Sequence, residues 1–227
     1  INNTDLGNGV VFAGEGIRNE VNQTYAWRGR KSLATDHYKS SILNVMHNQT
    51  GTSWTLEARA YNDGLAFRYI VPGSGTRTIN GESTEWVLPS GSSIWYETNT
   101  LHAEAYYSKK TPTAIAANTH IGLPVTVELS SNNYAAITEG ALQNYSGLSL
   151  MATGTTRLVS NFENFPLFSD PSDNVPGPAN WQQSGTITTP WRIIMTGPSL
   201  NELVNCDIVN NVCPAPDTNL YPQGIMT

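Results

Sequence analysis

The 227-residue chain (24.7 kDa) carries only 13% Asp, Glu, Lys and Arg but 19 Gly and 13 Pro, a balance that suits many strands joined by uncharged turns. Its formal charge is −6 at pH 7 and no run of Lys or Arg occurs, so it lacks the electrostatic footprint of a protein that grips phosphate backbones, and no nucleic acid is expected as a partner. No apolar stretch approaches the roughly 20 residues that a helix needs to cross a bilayer, so no membrane span is expected.

In chain order, the opening stretch INNTDLGNG has neither the basic nor the apolar region of a signal peptide, and the chain is expected to be soluble with any such peptide already removed. Sequons begin at Asn2, Asn22, Asn48 and Asn144. Such sites serve as glycosylation acceptors in exported proteins, which points to a secreted, periplasmic or cell-surface location. Trp54 to Tyr61 alternates, with Trp54, Leu56, Ala58 and Ala60 expected on one buried face of a strand. Asn62-Asp63-Gly64 then supplies turn residues, and Leu65 to Val71 alternates again before Pro72 ends it, which predicts a β-hairpin.

Glu85 to Leu88 is a further expected strand. A second hairpin is predicted where Pro124 to Leu129 and Tyr134 to Glu139 flank Ser130-Ser131-Asn132-Asn133, with Glu139 at the far end of its strand. Leu148 to Ala152, Thr156 to Ser160 and Trp191 to Thr196 complete the expected strands, each bounded by Gly or Pro. Between Asn161 and Gln183 four prolines stand among Asp, Asn and Ser, a composition expected to form a long surface loop. Ser199-x-x-Glu202 has the form of a capping box opening a short helix. The fold class is therefore all-β, with at most one or two short helices, as a single domain over residues 1–227 in which 213–227 reads as an exit strand or linker.

Three separated motifs, YNDGLAFRY at Tyr61 to Tyr69, ITEGALQNYSGLSL at Ile137 to Leu150 and TTPWRIIM at Thr188 to Met195, resemble in order and spacing those of the N-terminal domain of family 97 glycoside hydrolases. The resemblance runs from about Gly7 to the Asn210-Asn211 stretch. It implies a two-sheet supersandwich similar to galactose mutarotase, packed in the parent enzyme against a C-terminal (β/α)8 barrel that bears the catalytic carboxylates. No strand-helix alternation for such a barrel follows here, and one would typically need about 250 more residues. The chain is thus expected to be a fragment, a processed domain or a stand-alone relative, with no catalytic residue of its own.

The resemblance further implies that Glu139, in the I-x-E-x-A-L-x-x-Y motif, helps to hold a calcium ion completed by glutamates of the barrel. An isolated glutamate at a strand end would otherwise be a solvated acid. Calcium takes six to eight oxygen ligands, so one carboxylate should hold it weakly or not at all. Glu104 and Tyr107 resemble a Tyr- and Glu-rich segment of the family, and with Tyr96, Tyr106 and Trp95 are expected to contact carbohydrate or to fill core or inter-domain space. Trp191 and Arg192 are expected to be structural, the arginine resting on an aromatic or paired with an acid.

Cys206 and Cys213 enclose six residues, a spacing outside zinc and redox motifs that would close a small disulfide loop if the backbone turns back. Glycosidases need two carboxyls about 5–9.5 Å apart, and no such pair is identifiable among Glu82, Glu85, Glu97, Glu104, Glu128 and Glu139. His37, His47, His102 and His120 lack ligand spacing, and no GxSxG elbow or phosphate-cradling loop occurs. The leading expectation is the N-terminal, substrate-pocket and calcium-supporting domain of an exo-acting α-glucosidase or α-galactosidase. The alternative is a non-catalytic extracellular carbohydrate-binding or structural module.

Overall fold

Tyr61-Asn62-Asp63-Gly64 closes the hairpin that the alternation predicts, pairing β3 (Ser53–Tyr61) with β4 (Gly64–Val71) in antiparallel register. The computed structural model describes residues 1–27, 31–100, 104–129, 132–162 and 180–214. Before this hairpin lies a longer one that the sequence does not announce, β1 (Val10–Ala26) against β2 (Leu33–His47). Nearly all of β1 is exposed, so its side chains show no clean two-residue period, and register shifts around Glu15 interrupt the ladder.

Four short strands follow: β5 (Thr76–Ile79), β6 (Glu85–Val87), β7 (Ser93–Tyr96) and β8 (Ser108–Lys110). Then come a 3-10 turn at Pro112–Ala114, β9 (His120–Ile121) and the second predicted hairpin, β10 (Val125–Glu128) with β11 (Tyr134–Gly140). β12 (Ser149–Ala152) and β13 (Arg157–Asn161) pair with each other. β14 (Trp181–Ser184), β15 (Ile187–Thr188) and β16 (Trp191–Gly197) lead to two short helices, α1 (Leu200–Asn205) and α2 (Ile208–Val212). The Ser199 hydroxyl accepts the Glu202 backbone N–H, which is the expected cap. The expected loop over 161–183 is corrected at its end, because Trp181 to Gln183 form β14 paired with β5; residues 163–179 of it and 215–227 of the exit segment lie outside the described residues.

Among the described residues the strands assemble into three antiparallel sheets. The largest has ten strands, in the order β1-β2-β3-β4-β16-β11-β10-β7-β8 with β15 also on β4, a second runs β6-β13-β12-β9, and β14 pairs with β5. The main core lies between the first two sheets. Ile94, Val125, Val127 and Ile137 from the large sheet meet Trp86, Ile121, Leu150 and Leu158 from the small one. Strand pleating sends alternate residues to opposite faces. On β16, Ile194 therefore packs toward this core, while Trp191 and Ile193 join Ala66, Cys206, Ile208 and Val212 beneath the helices on the other face.

The expected buried face of β3 is corrected. Trp54, Leu56 and Ala58 are half-buried and Ala60 is exposed, because this part of the large sheet runs beyond the aliphatic core. Trp54 instead meets the Tyr69 ring edge-on at 5.7 Å.

Candidate functional site

Glu139 and Arg192 are cross-strand partners on β11 and β16, next to the end of the register that also sets Ile137 opposite Ile194. Both side chains point toward the inter-sheet core. Arg192 is fully buried, and such a cation persists only when its donors are matched by acids. Its Nε and Nη2 donate to Glu82 Oε1 and Oε2 at 2.9 and 2.6 Å, a bidentate pair, and its Nη1 donates to Glu139 Oε2 at 2.7 Å. Burial alone would lower the Arg192 pKa, but hydrogen bonding to Glu82 and the charges of Glu82 and Glu139 outweigh it and raise the value. The Tyr145 and Phe162 rings, 6.0 Å from each other, each lie 5.8 Å from the guanidinium, and burial, seconded by Glu82, pushes the Tyr145 phenol up so that it stays neutral.

The other oxygen of Glu139 accepts the Leu148 backbone N–H at 2.9 Å. The carboxylate is thus held at both ends, and with its side chain 15% exposed it reaches the wall of a cavity of about 220 Å³. Glu97, Thr100, Gly122, Gly147 and Ser149 also line this cavity. Glu97 directly follows β7 and is 2% exposed. One of its oxygens accepts the Asn99 backbone N–H; the other, Oε1, is buried with no hydrogen-bond partner among the described residues. A Cβ on Gly122 would collide with Oε1, so only glycine lets the backbone come this close.

On the opposite face of the large sheet, the guanidiniums of Arg59 and Arg68 both rest against the Trp191 ring, at 4.4 and 4.5 Å. Both arginines pair with Glu57, at 3.4 and 2.7 Å. Trp191 and Arg192 therefore act as the sequence suggests, the first clamped by cations and the second by acids.

The remaining expected site residues are not brought to the cavity. Glu104 and Tyr107 are exposed, next to the β7–β8 edge where Trp95 is 40% exposed, while Tyr96 is buried in the main core. Asn2, Asn22, Asn48 and Asn144 are all exposed. The disulfide expectation is corrected, since Cys206 and Cys213 are not bridged. They stand on either side of α2. Cys206 instead packs in the core beneath the helices, where burial pushes its thiol up to about 12, and Cys213 Sγ accepts the Ala141 N–H at 3.3 Å. Sequence reasoning considered Glu82 and Glu97 only as members of an unpaired set. No local pattern marks Glu97 as buried, since it stands at a Thr- and Asn-rich bend typical of surface acids.

These features define a class: an antiparallel two-sheet sandwich whose glutamates, drawn from distant segments, converge at one end of the inter-sheet core. The chain belongs to the glycosyl-hydrolase 97 N-terminal family, whose model matches residues 4–214. It is similar to a retaining alpha-galactosidase of Bacteroides thetaiotaomicron, at 27% identity over 150 residues, which is 60% of this chain and 22% of that protein. Its fold is similar to that of a family 97 enzyme from Pseudoalteromonas sp. strain K8 solved with acarbose, with a TM-score of 0.78 at 21% identity over 90% of this chain and 30% of that one. A beta-arabinopyranosidase shares the fold less closely, with a TM-score of 0.68 at 17% identity over 83% of this chain and 32% of that one. The chain thus spans about a third or less of the length of these relatives.

Proposed function

We propose that this chain is the N-terminal domain of an exo-acting α-glycosidase that hydrolyses α-glucosides or α-galactosides, with the chemistry performed by a C-terminal (β/α)8 barrel of the same parent. In this reading the chain alone is non-catalytic. It walls the substrate pocket and contributes Glu139 to a calcium site shared with the barrel. The observation that carries the reading is the setting of Glu139: Leu148 and Arg192 fix its carboxylate at a cavity wall, leaving lone pairs for a further ligand. The oxygen-only donor set there suits calcium. When bound, the ion supplies concentrated positive charge near the reacting sugar.

Arg192 has a positioning role here, because its pairing with Glu82 anchors the guanidinium that orients Glu139. Glu104 and Tyr107 are proposed to contact carbohydrate from outside the cavity, which their exposure beside Trp95 supports. Export to the periplasm, cell surface or medium is supported by the exposure of all four sequon asparagines.

The test is Glu139→Gln in the intact parent enzyme, with kcat/KM measured across a calcium titration from a chelated baseline. Loss of an anchored metal-supporting group should shift the calcium requirement upward by about 10–100-fold. An unchanged calcium profile would refute the role of Glu139.

A further inference from the structure

We infer that Glu97 is a second cation-binding carboxylate of the same cavity, so that this domain by itself brings two carboxylates to a hard divalent cation. The inference rests on the calcium reading of Glu139 and deepens it. Glu97 needs only one oxygen for its local structural task, accepting the Asn99 N–H that bends the chain after β7. Its other oxygen has no donor among the described residues, although Glu97, which lines the cavity, is only 2% exposed. A buried carboxylate oxygen with neither a donor nor a counter-ion is costly enough that it calls for a ligand.

Charge decides the kind of ligand. Arg192 is the cation of the cluster, and Glu82 neutralises it through a bidentate pair. Glu139 shares the same arginine, so Glu82, Glu139 and Glu97 together outweigh Arg192 by two negative charges, and among the described residues lining the cavity there is no Lys, Arg or His. A sugar hydroxyl would satisfy one lone pair but would leave two like charges facing the same small space. A dication satisfies both at once, and calcium accepts carboxylates in irregular geometry. The backbone is built to keep Glu97 in place. Gly122 N–H donates to the Glu97 carbonyl at 3.1 Å, and Gly122 itself leaves room for Oε1 where any Cβ would displace it.

The experiment is calorimetric titration of the full 227-residue chain, stripped of metal, with calcium chloride, alongside melting temperature with and without the ion. The chain should bind one calcium with a dissociation constant of about 10⁻⁴–10⁻³ M and melt at higher temperature in its presence. Glu97→Gln keeps an oxygen for the Asn99 N–H and removes the charge. It should weaken binding at least about tenfold while melting in chelator no lower than the wild type, whereas a merely structural Glu97 would melt lower. Glu97→Asp, which keeps the charge but withdraws the oxygen, should weaken binding to a smaller extent. Wild-type affinity in Glu97→Gln overturns the inference and leaves the Glu139 reading standing, provided that Glu139→Gln binds weakly. A loss in Glu97→Gln with no change in Glu139→Gln overturns the Glu139 reading instead. No saturable binding by the wild-type chain up to about 10 mM calcium, well above the weak end of protein calcium sites, overturns the two-carboxylate site itself.

Discussion

Arg192 is fully buried, and its donors reach carboxylates that lie 110 and 53 positions away along the chain. A charge in that position is tolerated because Glu82 and Glu139 answer it; removal of the arginine would strand both acids inside the protein. Arg192→Met is therefore expected to cost about 3–5 kcal/mol in urea unfolding, and the triple replacement with Glu82→Gln and Glu139→Gln should recover much of that loss. The sequence shows that an arginine follows Trp191, and its aromatic or acidic partnership was legible as a chemical type. Which acids it meets was not, because Glu82 stands in a loop before β6 with no periodic signal. Glu97 was still less visible, since its burial follows from the approach of Gly122 across a gap that no local pattern encodes.

Hairpins were the most legible elements. The Asn62-Asp63-Gly64 turn and the alternation beside it specify β3 and β4 locally, as do Asn132 and Asn133 for β10 and β11. Gly64 has a second duty that the turn rules do not reveal: a Cβ there would strike the Ile194 carbonyl and approach the Ile208 Cδ1 at 2.8 Å. Gly64→Ala should destabilise the chain by about 1–3 kcal/mol, and chemical denaturation would check this. The capping box at Ser199 announced α1, but α2 has only five residues and could not hold a helix unaided. Ile208 and Val212 dock it onto the sheet. The β1–β2 hairpin escaped notice for the opposite reason: with both faces of β1 open to solvent, its composition carries no buried stripe to detect.

Across the molecule, stability is concentrated where the large sheet meets the small one. Leu150 is fully buried in that core, so Leu150→Ala should cost about 2–5 kcal/mol. Phe12, on the solvent-facing β1, is 66% exposed, and Phe12→Ala should change stability by less than about 0.5 kcal/mol. Parallel denaturant titrations of the two variants would test whether the core, rather than the long hairpin, carries the free energy. The sequence by itself determined the two hairpins and the first helix cap, because each rests on residues close together along the chain, and it determined the strand-rich class and the family likeness through composition and three motifs spread from Tyr61 to Met195. Only the tertiary structure decided that Glu82 and Glu139 meet at Arg192, that Glu97 and Glu139 line one small cavity, and that the cysteines are not bridged. A two-residue period tells which face a side chain takes, whereas the choice of neighbouring strand and the stacking of one sheet on another depend on contacts between segments that the period does not name.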